Sequence, residues 1–344
     1  MKKLSLIVAV ILVLSMVLSA CNAAGTGGKA IKVCQVTDTG GIDDKSFNAT
    51  AWKGVEDAQK ELGVESKFLE SQAVTDFETN LNAFIEDECD LIVTVGFLLG
   101  DATKASAEAN PDFKYTIIDY AYDPAIPNVV GQIFQTDEAA FLAGYMAAGM
   151  TKTGKVGTFG GIPIPTVTIF MDGFTRGVLY YNQVKGTSVQ VLGYDLAAPE
   201  TGMFTNSFDD QTKGKEFGIS LMDEGADIIM PVAGPVGLGT AAAIKERGNA
   251  WIIGVDSDWT LTAPDYKDIV LTSVMKLMDA TTFEVIKSVQ DGKYAGGTNV
   301  VGTLENGGVG LGTNASVVSA ELVAEIEQLQ ADIISGKIKL ADIK

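Results

Sequence analysis

Four charged residues directly follow short apolar runs that have the pattern of buried strands. They are Asp38, Asp119, Asp256 and Lys276. Carboxylates accept paired hydrogen bonds from vicinal hydroxyls, and a lysine ammonium adds donors. Three carboxylates outnumber one lysine and the chain has only two arginines, so phosphorylated ligands are disfavoured. Each aspartate alone fits a helix cap or a turn equally well, but together the four predict a binding site for a neutral ligand with hydroxyl groups.

A polar loop near the amino terminus, VTDTGGIDDKSFN (Val36–Asn48), leads from a predicted strand into a predicted helix. Its two consecutive glycines allow a tight turn. Ser46 has the type and position of a helix N-cap, which places Phe47 and Asn48 in the first helical turn. A second aromatic, Phe208, lies in a strand-to-helix loop of the other half of the chain. One aromatic from each half can sandwich a planar ring or a sugar face, although a phenylalanine in a first helical turn is more often part of the core.

The composition excludes several classes of function. The net charge of −19 opposes binding to nucleic acids or to anionic lipid, because both require a basic surface. The absence of histidine rules out Ser-His-Asp and Cys-His catalysis and histidine-ligated metals. The three cysteines include no CxxC pair, so we expect neither a thiolate zinc site nor a disulfide framework. We expect Cys34 and Cys89 to act as small apolar residues; their spacing neither indicates nor excludes a disulfide between them.

Two features are compatible with an enzyme, and both are weak. Gly237–Ala242 matches the dinucleotide pattern GxGxxA, with an acid, Asp256, about 20 residues further on. Its glycines begin several residues after the predicted strand, so we interpret it as a glycine-rich loop that opens a helix. Asp43 and Asp44 offer two adjacent carboxylates, but neighbouring residues seldom converge on one metal ion. The sequence therefore predicts a protein that is not an enzyme and that uses no cofactor or metal.

Residues 1–20 have the pattern of a secretory signal peptide. A basic start is followed by an apolar run, Leu4–Leu18, that is too short for a stable membrane-spanning helix. Leu18–Cys21 reads LSAC and resembles the lipobox of bacterial lipoproteins; an ordinary signal peptide with a chance cysteine is the alternative. Residues 21–30 are small and glycine-rich, as in a flexible tether. We therefore expect a chain anchored by lipid at Cys21 to the extracytoplasmic face of the cell membrane.

The rest of the chain alternates apolar runs with helical patterns, in two consecutive series. The predicted strands are 31–36, 65–69, 91–95, 114–118, 129–134, 155–159, 188–192, 228–231, 251–255 and 270–274. The predicted helices are 46–62, 76–86, 100–109, 136–150, 169–184, 212–224, 237–247, 277–291 and 319–338. This rhythm is typical of α/β domains with parallel sheets, and the length suggests about two of them. Ligands of such folds bind beyond the carboxyl ends of the strands.

Four motifs give the chain a resemblance to the Bmp/PnrA-like family of basic membrane lipoproteins, the nucleoside-binding proteins of ABC importers. They are VTDTGGIDDKSFN (Val36–Asn48), GKVGTFGGIPIPTVTIFMDGF (Gly154–Phe174), IIGVDSD (Ile252–Asp258) and TSVMK (Thr272–Lys276). The resemblance implies a type I periplasmic-binding-protein fold, in which two Rossmann-like lobes surround a cleft and are joined by a three-crossover hinge. The lobes that it implies are 31–148 plus about 277–297, and 149–276 plus about 298–344.

The resemblance also implies roles for single residues. Phe47 matches the family's base-stacking aromatic. Asp38 and Asn48 lie in the same motif, and carboxyl and amide groups of this kind read the edge of the base. Asp256 and Lys276 match the family's contacts to the ribose hydroxyls.

Three further residues complete the implied ligand site. Asp119 and Phe208 fall where related sugar-binding proteins contact their ligands, and Gly234 brings backbone near the ligand. Phe170 and Phe204 remain alternatives to Phe208 as the second stacking aromatic.

The resemblance implies a monomeric, lipid-anchored substrate-binding protein that captures guanosine, inosine or adenosine and delivers it to an ABC permease. A signalling or adhesin role is also compatible with the lipid anchor, and two further alternatives remain at this point. One is a sugar or autoinducer receptor of the same fold. The other is a secreted nucleoside hydrolase, which needs a metal-binding carboxylate cluster or a poised base.

Overall fold

The computed structural model describes residues 30–313 and 315–344, so the predicted lipidation site, Cys21, lies outside the described residues. The elements named below fall in Lys32–Lys344, which forms one unit. The first series of elements is β1 (Lys32–Thr37), α1 (Phe47–Leu62), β2 (Glu65–Leu69), α2 (Phe77–Glu86), β3 (Leu91–Val95), α3 (Gly100–Ala109), β4 (Tyr115–Ile118), β5 (Val129–Phe134) and α4 (Thr136–Met150). None of the helices in the described part of the chain is long and apolar enough to cross a membrane.

The second series continues the alternation of strand and helix. Its elements are β6 (Lys155–Gly160), α5 (Pro165–Lys185), β7 (Gln190–Leu192), α6 (Gln211–Asp223), β8 (Ile228–Val232), α7 (Val236–Arg247), β9 (Trp251–Asp256), α8 (Trp259–Thr262), β10 (Val270–Lys276), α9 (Met278–Gln290), β11 (Thr298–Gly302), β12 (Val309–Leu311) and α10 (Ala320–Ile334).

The strands form two six-stranded sheets. The first sheet has the order β11-β5-β4-β3-β1-β2, and all of its pairs are parallel. The second sheet has the order β12-β10-β9-β8-β6-β7 and is parallel except for the pair β10–β12. The chain passes between the sheets three times, after β5, after β10 and after β11. The prediction of two α/β units with parallel sheets, connected by three crossovers of the chain, is confirmed.

The central strands are buried along their whole length. Every residue of β3 and of β8 is buried, as expected for parallel strands that are covered by helices on both faces. The polar residues inside the central strands are uncharged, such as Thr94 in β3, and the charged side chains of the cleft lie at the ends of the strands or in the loops after them. This arrangement places the charged residues at the carboxyl ends of the strands, where the sequence predicted the site.

Cys34 and Cys89 form a disulfide, with their Cα atoms 6.1 Å apart. The expectation that they act as separate small apolar residues is therefore wrong. The backbone N–H of Asp90 donates to the Lys32 carbonyl, which holds the segment before β3 against the start of β1. The parallel pairing of these two strands thus brings together two cysteines that are 55 residues apart in sequence.

Most predicted elements match the observed ones to within two residues, but some ends differ. Helix α5 begins at Pro165, a turn earlier than predicted, because proline suits the first helical turn. Helix α10 ends at Ile334 rather than at Ile338, since Gly336 has a left-handed backbone that a helix does not continue. Strands β11 and β12 were not predicted. Both lie at sheet edges; β11 is largely exposed and β12 has only three residues.

The division into lobes at the predicted boundaries stays a prediction. Two packing contacts join segments that the predicted boundaries assign to different lobes. Helix α4 packs along α5, where Gly144 and Gly177 allow the two backbones to approach closely. Strand β11 pairs with β5 in the first sheet.

Candidate ligand-binding site

Loops at the carboxyl ends of strands in both sheets surround a cleft. The cleft is lined by all eight residues that the sequence predicted for the ligand site, namely Asp38, Phe47, Asn48, Asp119, Phe208, Gly234, Asp256 and Lys276. Of the alternative aromatics, Phe170 also lines the cleft, whereas Phe204 packs against Gly160. The structure therefore brings together groups that come from seven separate places in the sequence, and Phe204 is not among the residues that line the cleft.

The start of α1 is capped by an aspartate and not by the serine at the N-cap position. The Asp44 carboxylate accepts hydrogen bonds from the backbone N–H groups of Ser46, Asn48 and Ala49, at 2.9–3.0 Å. Ser46 occupies the N-cap position as predicted, but its side chain makes no capping hydrogen bond. Its hydroxyl donates instead to Asp256 Oδ2, at 2.9 Å. The capping role predicted for the Ser46 side chain is therefore wrong.

Asn48 links two buried carboxylates in the cleft. Its Nδ2 donates to Asp38 Oδ1 at 3.1 Å and to Asp44 Oδ2 at 3.3 Å. Its Oδ1 is buried and has no hydrogen-bond partner within residues 30–313 and 315–344. A buried acceptor without a partner is unfavourable, so this oxygen is well placed to accept a hydrogen bond from a ligand.

The Asp38 carboxylate packs against Gly96, at a position where any other residue would place a side chain. Gly96 directly follows β3 and has a φ of 114°, a conformation that residues with a side chain rarely adopt. A Cβ atom at this position would collide with Asp38 Oδ2. Gly96 was not predicted to belong to the site, and neither were Phe97 and Leu98, which also line the cleft. A signal was present, since Gly96 directly follows a buried strand, as the predicted aspartates do.

Lys276 connects the two sheets through charged groups. Its Nζ lies 2.6 Å from Asp119 Oδ2 and 3.6 Å from Asp256 Oδ1. Asp119 and Asp256 both have a left-handed backbone, with φ of 65° and 68°. Non-glycine residues in this conformation are uncommon and cluster at ligand sites, where surrounding contacts hold them in place.

Three aromatic rings surround the same ammonium. The ring centroids of Phe47, Phe170 and Phe134 lie 4.6, 5.5 and 5.7 Å from Lys276 Nζ, within the range of cation–π interactions. The Phe208 ring lies against Gly161, where a Cβ atom would collide with it. Aromatic surface therefore reaches the cleft from both halves of the chain.

Burial raises the pKa of three carboxyls of the cleft, those of Asp38, Asp44 and Asp119. Burial raises the pKa of Asp38 well above its usual value, and the nearby carboxylates add to the shift. Burial raises the pKa of Asp44 to about 6, although three backbone hydrogen bonds favour its charged form. Burial also raises the pKa of Asp119, although Lys276 opposes the effect. The cleft therefore already resists negative charge, and a further anionic group is unfavourable in it.

The glycines of the dinucleotide-like motif serve helix packing. Gly237 and Gly239 lie inside α7, and not in a tight turn after a strand. A Cβ atom at Gly237 would lie 2.8 Å from Trp259 and 2.9 Å from Pro231. A Cβ atom at Gly239 would collide with the Gln211 carbonyl at the start of α6. The motif lacks the turn geometry of a dinucleotide site, as expected, but its glycines lie within the helix and not in a loop before it.

The adjacent acids Asp43 and Asp44 do not converge. Asp43 is exposed, whereas Asp44 is buried against the start of α1. Within the described residues, the ligand atoms of Cys34, Asp87 and Cys89 lie close enough together to share a metal ion. The two cysteines, however, are joined in the disulfide.

Comparisons with known proteins agree with this geometry. The model of the Bmp family, described as PnrA-like substrate-binding proteins of ABC transporters, matches residues 31–344. The ABC transporter nucleoside-binding protein BmpA of Lactococcus lactis is 33% identical, over 98% of this chain and 99% of that protein. Basic membrane protein A of Borreliella burgdorferi is 33% identical, over 96% and 94%. The crystal structure of an ABC transporter solute-binding protein from Aeropyrum pernix superposes with a TM-score of 0.80 at 31% identity, over 90% and 92%.

Proposed function

The chain belongs to the Bmp family of PnrA-like ABC transporter substrate-binding proteins, and we propose that it captures purine nucleosides and delivers them to an ABC permease. The family consists of binding proteins and not of enzymes, so the hydrolase alternative is set aside. Guanosine, inosine and adenosine are the ligands that we propose. The similar protein of Lactococcus lactis bears the name of a nucleoside-binding protein, which supports this choice.

The observation that carries the proposal is the placement of an acceptor, a donor and an aromatic ring in one buried cleft. Asp256 and Lys276 lie side by side, so a carboxylate acceptor and an ammonium donor face the same volume. Vicinal ribose hydroxyls use both kinds of partner. We propose that these two residues hold the ribose.

The base is proposed to lie against Phe47 and a second ring, Phe170 or Phe208. Stacking on aromatic side chains tolerates any base, so selectivity for purines requires polar contacts as well. Asp38 and the unpartnered Oδ1 of Asn48 offer acceptors for the N–H groups of a purine edge. The raised pKa of Asp38 also lets this carboxyl carry a proton and donate one hydrogen bond.

We propose that the cleft closes because the ligand contacts loops of both sheets. A ligand that touches loops of both sheets stabilises the closed arrangement more than the open one, and this difference shifts a hinge equilibrium. We propose that the permease binds the closed form. We also propose that the predicted lobes move about the three crossovers and that the protein acts as a monomer.

Substrate-binding proteins of ABC importers act on the extracytoplasmic side, and we propose that this one is held there by lipid at Cys21. The LSAC motif supports the proposal. Metabolic labelling with a fatty-acid probe tests it directly. We expect label on the wild-type protein, and we expect Cys21→Ser to lose the label and to be released from the membrane. Equal labelling of both proteins would contradict the anchor.

A thermal-shift screen of the chain that begins after Cys21 tests the ligand. A ligand that binds only the folded state raises the melting temperature by mass action. We expect shifts with guanosine, inosine or adenosine and none with their monophosphates, because the cleft is rich in carboxylates. A shift with pentoses alone would support the sugar-receptor alternative. An absence of any shift, with no co-purified ligand found by mass spectrometry of the denatured protein, would contradict the proposal.

A further inference from the structure

Two consecutive residues of the β1–α1 loop meet the end of β9 in the other sheet. The Ser46 hydroxyl lies 2.9 Å from Asp256 Oδ2 and 3.4 Å from the Val255 carbonyl oxygen. The Ser257 hydroxyl donates to the Lys45 carbonyl oxygen at 3.3 Å. We call these contacts the Ser46 seam. They join segments more than 200 residues apart in sequence, so they form only when loops of the two sheets touch.

The Ser46 side chain is available for the seam because Asp44 caps the helix in its place. Ser46 is 1% exposed and does not line the cleft, so a ligand in the cleft does not reach its hydroxyl directly. Its bond partner, Asp256, does line the cleft. Any influence of Ser46 on a ligand therefore passes through Asp256.

The two oxygens of the Asp256 carboxylate have different surroundings. Oδ2 accepts the hydrogen bond of Ser46, and Oδ1 faces the ammonium of Lys276 at 3.6 Å. Ser46 follows a strand of the first sheet and Lys276 ends a strand of the second, and together they hold the carboxylate in one orientation. Each oxygen keeps a lone pair with which it can accept a hydrogen bond from a ligand hydroxyl.

We propose that Ser46 is a positioning residue that orients the Asp256 carboxylate toward the ribose hydroxyls and makes this orientation depend on closure of the cleft. The proposal rests on the proposed nucleoside function. It assigns separable roles to the two halves of the seam. Ser46 acts on both closure and the carboxylate. The hydroxyl of Ser257 contacts the Lys45 carbonyl and the Thr262 hydroxyl, neither of which lines the cleft, so it acts on closure alone.

Calorimetric titrations of the lipid-free chain with guanosine and with guanine separate these roles. Hydrogen bonds to charged groups are worth roughly ten- to hundredfold in affinity. We expect Ser46→Ala to weaken guanosine binding by about that factor and guanine binding much less, because guanine has no ribose. We expect Ser257→Ala to weaken both ligands by the same small factor. Ser46→Thr keeps the hydroxyl and should restore most of the guanosine affinity.

Ser106→Ala is the matched control. Ser106 is a buried serine whose hydroxyl bonds to Tyr115 Oη at 2.9 Å, away from the cleft. We expect this variant to bind both ligands like the wild type. The proposal is overturned if Ser46→Ala binds guanosine like the wild type, or if it loses guanosine and guanine by the same factor.

A second experiment needs no ligand, so it stands even if the wild type binds no guanosine and the proposed function fails. Spin labels at Lys104→Cys in α3 and Glu216→Cys in α6, both exposed positions, report the separation of the two halves by pulsed electron paramagnetic resonance. We expect Ser46→Ala to move the distance distribution toward longer values. An unchanged distribution would overturn the link between Ser46 and closure.

Discussion

The ammonium of Lys276 lies 2.6 Å from the Asp119 carboxylate, although the two residues belong to different sheets. Both side chains are buried, with 3% and 8% of their surfaces exposed. A buried ion pair gains little net stability, but removal of one partner leaves an uncompensated charge. The positive charge of Lys276 is therefore already matched within the protein. Among the described residues that line the cleft, a phosphate would find no unmatched cation, which favours neutral nucleosides over nucleotides.

Replacement of Phe47 by alanine tests the stacking role. Stacking of a base on an aromatic side chain contributes about 1–3 kcal/mol, so we expect Phe47→Ala to weaken nucleoside binding by about 2 kcal/mol. Calorimetric titration with guanosine measures the loss. Phe68→Ala, which removes an exposed phenylalanine from an edge strand, is the control and should bind normally. Normal guanosine binding by Phe47→Ala would remove this residue from the site.

Replacement of Asp256 by alanine distinguishes contacts to ribose from contacts to the base. The loss of a charged hydrogen-bond acceptor costs about 1.5–3 kcal/mol, and we expect this cost for guanosine and inosine. Guanine and hypoxanthine lack the ribose, so their affinities should change little. Competition titrations with the four compounds give the comparison. Equal losses for ribosides and free bases would show that Asp256 does not act on the ribose.

Replacement of Gly96 by alanine tests the space for Asp38. The new Cβ atom would collide with Asp38 Oδ2, so we expect nucleoside affinity to fall more than tenfold, about 1.4 kcal/mol or more. Gly63→Ala is a matched control, because Gly63 also has a positive φ, of 71°, but a Cβ atom there meets nothing within 4 Å. Both variants should lose stability in urea unfolding, since both strain the backbone. A similar affinity for the two variants would refute the steric argument.

Asp44 predicts a pH dependence of stability. Burial raises its folded-state pKa from 3.8 to about 6, so the folded protein holds this proton more tightly than the unfolded chain. The resulting stability is present below about pH 4 and is lost as the pH rises through about 6. A shift of about two pKa units corresponds to roughly 3 kcal/mol. Asp44→Asn removes the titration, so its free energy of unfolding relative to the wild type should rise between pH 4 and pH 7.

Urea unfolding at several pH values between 4 and 7.5 provides the test for Asp44. Asp43→Asn removes a carboxylate from the same loop at an exposed position and is the control. Its stability profile should run parallel to that of the wild type. If the Asp44→Asn profile is also parallel, the buried carboxyl does not titrate in this window.

The disulfide between Cys34 and Cys89 predicts a dependence of stability on reduction. It closes a loop across 55 residues, for which the chain-entropy model gives about 4 kcal/mol. We expect the double variant Cys34→Ala/Cys89→Ala to lose about this much free energy of unfolding. Dithiothreitol should bring the wild type close to the variant and leave the variant unchanged. A wild type that keeps its full stability after its thiols are shown to be reduced would refute the expectation.

The order of elements and the location of the site were predictable from the sequence, because both depend on local patterns. A buried parallel strand tolerates few charged residues, and a residue at its carboxyl end is the first one free to carry a charge. That rule located Asp38, Asp119 and Asp256 at the cleft before any fold was known. The edge strand β11 is largely exposed, so its apolar pattern is weaker, and it was missed.

The partners of individual side chains were decided by the tertiary structure alone. The sequence marked Ser46 as an N-cap, because a serine before a helix usually caps it, yet Asp44 takes that role and Ser46 bonds to Asp256 instead. The same is true of the pairing of Cys34 with Cys89. Hydrogen bonds and disulfides act over a few ångströms. The order of the strands in the sheets determines which distant segments come within that range. A local sequence pattern does not determine that order.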